Sequence, residues 1–267
     1  MNKNLPIGLF DSGVGGLSVL KKLRELLPQE DYIYLGDTAR TPYGPKGPKV
    51  ITQYSRECLS FLQQQKVKLI VVACNTASSA ALPELSAECP IPVIGMIEPA
   101  SKAASLKAQK KIAVIGTRAT ILSNAYQSAL RDITSDIEIL VQACPLFVPL
   151  VEEGIFTGPL VQGAIDNYLS KIHQASPDTL ILACTHYPFL RPELERYFGL
   201  NISIIDCGEV AAEAVRSTLN SMQGLREASS KGKVHYYVTD DAGRFKEIGK
   251  VFLGENEMDV SVVQNLI

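Results

Sequence analysis

No segment of the 267-residue sequence approaches the roughly 20 apolar residues needed to span a membrane. The first eleven residues, Met1 to Asp11, also lack an apolar stretch long enough for a secretory signal, so a cytoplasmic protein with no membrane partner is expected. Strong charge of either sign is missing too. With 26 Lys and Arg against 28 Asp and Glu the net charge is −2, and no basic surface marks nucleic acid as a partner. The run Lys107, Lys110, Lys111 reads as a solvated helix end. Cysteines number only six and form no dense framework, which excludes a disulfide scaffold and leaves reduced thiols available for chemistry. A nucleotide loop is incomplete: Asp11-Ser12-Gly13-Val14-Gly15-Gly16 would need a third Gly at position 18, where Ser18 stands, and no Gly-x-x-x-x-Gly-Lys-[Ser/Thr] run occurs.

What is present is a globular composition, 46% hydrophobic and 20% charged, with a clear alternation. Short runs rich in Val and Ile alternate with segments of helical period, the pattern of a parallel sheet flanked by helices. Strands are predicted at Ile7 to Asp11, Asp31 to Leu35, Lys68 to Ala73, Pro92 to Gly95, Lys111 to Gly116, Ile137 to Val141, Thr179 to Ala183, Ile202 to Ile205 and Val234 to Thr239. Helices are predicted over Leu17 to Leu27, stopped by Pro28, and from about Val50 to Gln65, with later ones beginning near Ala100, Leu122, Pro159 and Glu209.

The chain also resembles itself. Ile7 to Asp11 matches Ile112 to Gly116 at an offset of 105, and Asp31 to Leu35 matches Asp136 to Leu140 at the same offset. Val71-Val-Ala-Cys74-Asn-Thr76 matches Ile181-Leu-Ala-Cys184-Thr-His186 at 110, and Ile91 to Ile94 matches Ile202 to Ile205 at 111. Four strands recurring in order predict an α/β fold of two similar lobes, each a mostly parallel sheet flanked by helices, related by an approximate two-fold axis. The site is expected in the cleft where strand carboxyl ends face each other. Residues 1–97 and 208–267 are assigned to the first lobe and 98–207 to the second.

Cys74 and Cys184 hold the same place in each repeat, so symmetry would present both thiols to one cleft. A single buried Cys is usually a small hydrophobe, the reading given to Cys58, Cys89, Cys144 and Cys207. That reading gives no reason for Asn75-Thr76 and Thr185-His186 to follow the repeated pair. Inverting a stereocentre with an acidic hydrogen requires removing a proton from one face and delivering another to the opposite face, which two opposed acid/base groups can do. The Gly-rich turn after Asp11 opens a helix and can hold a carboxylate or phosphate, or can be a tight connection only. Tyr43 and Gly44 lie in a Pro- and Gly-rich loop suited to a cleft wall or to a plain turn. Glu152 is a further carboxylate within reach of a cleft, though an exposed Glu at a helix end is the ordinary reading. His186 stands out from His173 and His235 because it lies two residues beyond Cys184. Ser12, Asn75, Thr76 and Thr185 are suitable donors to a bound acid, and Asp11 and His186, one near each thiol, could carry protons.

At these residues the chain resembles the glutamate racemases, members of the cofactor-independent aspartate/glutamate racemase superfamily. Asp-Ser-Gly-Val-Gly-Gly at 11–16, Pro-Tyr-Gly at 42–44, Cys-Asn-Thr at 74–76 and Cys-Thr-His-Tyr-Pro at 184–188 stand in that family's order and spacing. The resemblance implies interconversion of L- and D-glutamate, supplying D-glutamate for bacterial peptidoglycan, with Cys74 and Cys184 as the acid/base catalysts and no pyridoxal phosphate or metal. It implies further that Asp11, Ser12, Tyr43, Gly44, Asn75, Thr76, Thr185 and His186 contact glutamate, while Asp11, Glu152 and His186 assist proton transfer. Cys207 stands where many relatives are expected to carry Ser. Enzymes of this kind commonly self-associate, so a homodimer is among the expectations, although no pattern selects its faces.

Three other readings remain open at the level of sequence. An aspartate racemase or another superfamily isomerase would differ by one carbon of substrate, which leaves little mark in sequence. A two-lobed binding protein could close on an acidic amino acid without chemistry. A zinc site from Cys74, Cys184 and His186 lacks the usual Cys-x-x-Cys spacing.

Overall fold

In the computed structural model, which describes residues 2–199, 201–255, 257–263 and 266, strand and helix alternate from the start of the chain. The first third runs β1 (Ile7–Asp11), α1 (Leu17–Leu26), β2 (Tyr32–Gly36), α2 (Pro48–Gln64), β3 (Leu69–Val72), α3 (Asn75–Glu88) and β4 (Val93–Ile94). The middle runs α4 (Ile97–Lys107), β5 (Lys111–Gly116), α5 (Arg118–Leu122), α6 (Ala125–Ile133), β6 (Glu138–Ala143), α7 (Phe147–Glu152), α8 (Pro159–Gln174), β7 (Thr179–Ala183), α9 (Arg191–Phe198) and β8 (Ser203–Asp206). The chain continues through α10 (Cys207–Ser221), β9 (Val234–Val238), α11 (Ala242–Leu253) and β10 (Val260–Val262).

Two sheets result, ordered β10-β9-β2-β1-β3-β4 and β6-β5-β7-β8, and every described pairing is parallel. The shared order is the internal repeat made visible: β2-β1-β3-β4 maps onto β6-β5-β7-β8. Ile7 pairs with Leu69 and Ile112 with Thr179, as the offsets of 105 and 110 require. One offset is corrected. Ile7 pairs with Tyr32 but Ile112 with Ile139, so β6 matches β2 at 107 rather than 105. A slip of two residues keeps every side chain on its face, because the strand period is two.

Both faces of the larger sheet are covered, which is why its strands read as continuous apolar runs. Leu9, Tyr34 and Val71 point into the core that extends through to the smaller sheet, while Phe10, Leu35 and Val72 point to a second cluster under α2 and α3. Helix α1 presents Leu17, Leu20 and Leu23 to the inner core and ends where the Leu27 N–H reaches the Leu23 carbonyl, one residue before Pro28. Truncating such a leucine to Ala costs about 2–5 kcal/mol. A buried ion pair, Lys68 with Glu30, closes the bottom of the same sheet, and the Lys68 ammonium also donates to the Lys3 and Gly224 carbonyls at 2.8 and 2.9 Å.

Some elements differ from expectation. The helix expected near Ala100 begins at Ile97, and the one expected near Leu122 is two helices, α5 and α6, joined through Asn124 at φ 58°. Helices α3, α7, α9 and α11 and strand β10 are additional. In α3 the buried residues apart from Leu85 are small or polar, namely Asn75, Thr76, Ala77, Ser78 and Ala81, and Pro83 lies inside, so no apolar stripe announces it. No described helix is long and apolar enough to cross a membrane.

Candidate active site

The carboxyl ends of β1, β3, β5 and β7 converge on one cavity of about 470 Å³. Cys74 follows β3 and Cys184 follows β7, and both sulfur-bearing residues line it although each is only 6% exposed. Symmetry of the two sheets therefore does deliver the repeated thiols to a common space. Ser12, Tyr43, Gly44, Asn75 and Thr76 line it from the larger-sheet side, and Glu152, Thr185 and His186 from the other. Asp11 is the exception among the residues singled out from sequence. It is fully buried behind Ser12, with one carboxylate oxygen accepting from the Gly13 N–H at 2.9 Å and the other, Oδ1, unpartnered among the described residues.

Close approach of the two halves depends on the glycines after β1. A Cβ on Gly15 would lie 2.3 Å from Thr185 Oγ1 and 2.4 Å from His186 Cε1, so only a hydrogen fits there. One turn on, the Ser18 hydroxyl donates to the Thr185 carbonyl at 2.7 Å. On the far wall the Gly44 carbonyl accepts from the Ala119 N–H at 3.1 Å. The Gly-rich turn is thus a close contact between halves.

The surroundings of the two thiols are unequal. Cys74 caps the N-terminus of α3, its sulfur accepting from the Ala77 N–H at 3.4 Å, with Ser12 Oγ at 3.7 Å. Burial, then the nearby Asp11 charge, pushes its pKa up to about 11 against those two hydrogen bonds. Cys184 has a titratable neighbour instead: His186 Nδ1 lies 3.8 Å from its sulfur and His186 Nε2 lies 2.8 Å from Glu152 Oε1. A carboxylate on Nε2 keeps the proton there and turns the Nδ1 lone pair towards the thiol. Burial pushes the Cys184 pKa well above the ordinary thiol range, and the Cys74, Asp11 and Glu152 charges add to the shift. Asp11 is likewise raised, by burial first, with His186 opposing. Glu152 is held from behind, since Arg244 of α11 donates to the Glu152 carbonyl at 3.2 Å and pairs with Glu153 at 2.8 Å.

Three lining side chains are already engaged. The Tyr43 hydroxyl donates to Asp37, which Arg40 also grips, so the ring forms wall while its polar end is spent elsewhere. Thr76 Oγ1 lies 2.9 Å from Thr117 Oγ1 and 3.2 Å from Thr120 Oγ1, a hydroxyl cluster across the two halves. Asn75 Oδ1 accepts from the Tyr126 hydroxyl at 2.6 Å. Thr117 and Arg118 line the cavity without having been singled out from sequence. The repeat held the signal: the offset of 105 that aligns β1 with β5 sets Thr117 opposite Ser12. Among the described residues no three His, Cys, Asp or Glu side chains gather as a metal site. A larger apolar groove of about 590 Å³ lies beyond α7, lined by Leu146, Leu150 and Leu160, and among the described residues Glu153 is its only titratable group.

Residues 7–215 of this chain match the Asp/Glu/Hydantoin racemase family. The chain belongs to that family. A glutamate racemase of Geobacter metallireducens is 46% identical over 255 residues, covering 95% of this chain and 94% of that one. Among solved structures, glutamate racemase from Francisella tularensis in complex with D-glutamate superposes with a TM-score of 0.92 at 36% identity, covering 98% of both chains. Glutamate racemase from Bacillus anthracis superposes at 0.94 with 35% identity and the same coverage. The two parallel sheets flanked by helices are the architecture of these racemases.

Proposed function

We propose that this racemase interconverts L- and D-glutamate, using Cys74 and Cys184 as opposed acid/base groups at the α-carbon. The observation that carries the reading is that equivalent ends of β3 and β7 present the two thiols to one cavity. The similarity to glutamate racemases, one of them bound to D-glutamate, supports the substrate. In each direction one sulfur, as thiolate, takes the α-proton, and the other, as thiol, returns a proton to the opposite face. Asp11, Glu152 and His186 are read as assisting these transfers. Ser12, Tyr43, Gly44, Asn75, Thr76, Thr185 and His186 are read as substrate contacts, Tyr43 through its backbone and ring.

Ionisation limits the chemistry. With Cys74 raised to about 11, only about one molecule in 1,000 carries its thiolate at pH 8, and ionising it there costs about 4 kcal/mol. An ammonium group arriving in the dry cavity opposes that cost, because an opposite charge within a few ångströms favours the anion. For Cys184 the His186–Glu152 pair can receive the thiol proton directly. Arg118, on the cavity wall, suits the second carboxylate of a dicarboxylic substrate. The thiols supply both proton transfers, so the reading requires no cofactor.

The broader assignment is a cytoplasmic supplier of D-glutamate for peptidoglycan; a homodimer stays an expectation from the resemblance, with no face selected for it. Its lobes are residues 1–97 with 208–267, and 98–207; the pairing of β9 with β2 supports the return of the last segment to the first lobe. A circular-dichroism assay with L-glutamate, D-glutamate and aspartate tests the reading. In D₂O each glutamate enantiomer must gain deuterium at the α-carbon as it inverts. Full-rate racemisation by Cys74→Ser or Cys184→Ser would falsify the two-thiol mechanism, and faster turnover of aspartate would reassign the substrate.

A further inference from the structure

Asn75 follows one of the two thiols and lines the cavity, yet half of its amide is already committed. Its Oδ1 can only accept, so the Tyr126 hydroxyl, 2.6 Å away, must donate its single hydrogen to it. The Tyr126 oxygen also lies 3.1 Å from Cys207 Sγ. With its own hydrogen spent, the phenol must accept there, and the Cys207 S–H must be the donor. Cys207 therefore serves as a neutral thiol. Burial supports this, pushing its pKa up to about 12. With Oδ1 facing Tyr126, the chain of donors runs one way, from sulfur to phenol to amide oxygen, and holds the amide in that orientation. Nδ2 is left facing away from Tyr126, buried and without a partner among the described residues.

We propose that Tyr126 and Cys207 are a positioning pair that locks the Asn75 amide with its N–H donors presented to a carboxylate or carbonyl oxygen of the bound amino acid. The three residues come from three elements: Asn75 begins α3 at the larger sheet, Tyr126 lies in α6 beside the smaller one, and Cys207 begins α10. The donor is thus set only when these elements meet. Cys207, which neither lines the cavity nor touches a catalytic thiol, gains a role as the first donor in the relay. Ser would serve equally, having the same single O–H donor. The inference rests on Asn75 being a substrate contact, part of the reading given above.

Kinetics of three variants test it, with wild-type racemisation of glutamate as the control. Tyr126→Phe keeps the ring and removes the lock, so the amide can turn. KM for both enantiomers should rise about fivefold to tenfold, with kcat within about threefold, as expected for a lost hydrogen bond made equally in ground and transition states. Cys207→Ala should raise KM about threefold, and Cys207→Ser should restore it. A merely structural role would lower the melting temperature in Tyr126→Phe while leaving KM unchanged, and that result would overturn the inference. If Tyr126→Phe does not fold, the Cys207 pair decides: equal KM values in the Ala and Ser variants overturn it, and rescue by Ser alone supports it. A wild-type protein inert towards glutamate would instead sink the proposed function and leave this inference without its premise.

Discussion

Replacing Asp11 by Asn should make Cys74 more reactive and the enzyme less active. Cys74 is raised to about 11 by burial first and by the Asp11 charge second. At pH 8 its thiolate fraction is about one in 1,000, against about one in four for a free thiol of pKa about 8.5. Alkylation by iodoacetamide, followed at the Cys74 peptide by mass spectrometry, should therefore accelerate about tenfold per pH unit from 7 to 9 without a plateau. Asp11→Asn removes the like charge but leaves the burial, so alkylation at pH 8 should quicken severalfold, up to about tenfold. Racemisation should fall by about 100-fold or more, the usual loss when a group that assists proton transfer is removed. At pH values low enough to protonate the buried Asp11, parent and variant should react alike. A plateau in the parent below pH 9 would refute burial as the cause of the shift. Slower alkylation in Asp11→Asn would refute the assigned electrostatic neighbour.

Glu152→Gln leaves His186 without the carboxylate that fixes its tautomer, and kcat should drop about 10- to 100-fold with little change in KM, measured for both enantiomers. Gly15→Ala sets a methyl 2.3 Å from Thr185 Oγ1, so the loop that carries Cys184 and His186 must shift, and activity should be lost while the far-ultraviolet dichroism stays native. Lys68→Met strands the buried Glu30 carboxylate and should destabilise the fold by about 3–5 kcal/mol, read as a lower midpoint in urea. Alkaline pH should unfold the protein: Cys58, Cys74, Cys144, Cys184 and Cys207 are all raised by burial above 9.0. Unfolded thiols lose protons that the native ones retain, so stability is complete below about pH 8.5 and falls above it. Each of the five thiols removes stability as the pH climbs through the unfolded thiol range, so the melting temperature should fall steeply between pH 8 and 10. An unchanged melting temperature between pH 8 and 10 would contradict this.

The strands were legible because burial on both faces writes a parallel strand as an unbroken apolar run. Ile7–Asp11, Lys111–Gly116 and Thr179–Ala183 fall where expected to the residue. Helices were legible only where they bury a stripe. Leu17, Leu20 and Leu23 announce α1, whereas α3 packs small and polar residues at the cavity floor and α7 is a six-residue turn that carries Glu152. Helix α11 has a readable stripe, Phe245, Ile248 and Phe252, with the Asp241 side chain accepting from the Arg244 N–H at its start and Gly254 at its end. It was missed although its signals are local.

The site separates along a different line. Comparing the chain with itself equates positions, Cys74 with Cys184 and Ser12 with Thr117, because equivalent strand ends share one local geometry. It says nothing of how one half meets the other, which no period in the sequence encodes. The contacts that make the two sides unequal are of this second kind: Ser18 to the Thr185 carbonyl, Arg244 to the Glu152 carbonyl, Tyr126 to Asn75. Each joins elements packed against different sheets, so each depends on relative placement of whole layers. A symmetric repeat by itself would give two thiols in matching surroundings. The packing instead gives Cys184 a histidine backed by a carboxylate and leaves Cys74 with a helix N-terminus, a serine and a buried acid. Substitutions at His186 and at Asp11 should therefore differ in which direction's kcat they lower more, with KM for that enantiomer falling in step because the equilibrium between enantiomers holds kcat/KM equal in both directions; a kcat lowered equally in both directions in each variant would show that the surroundings act as one.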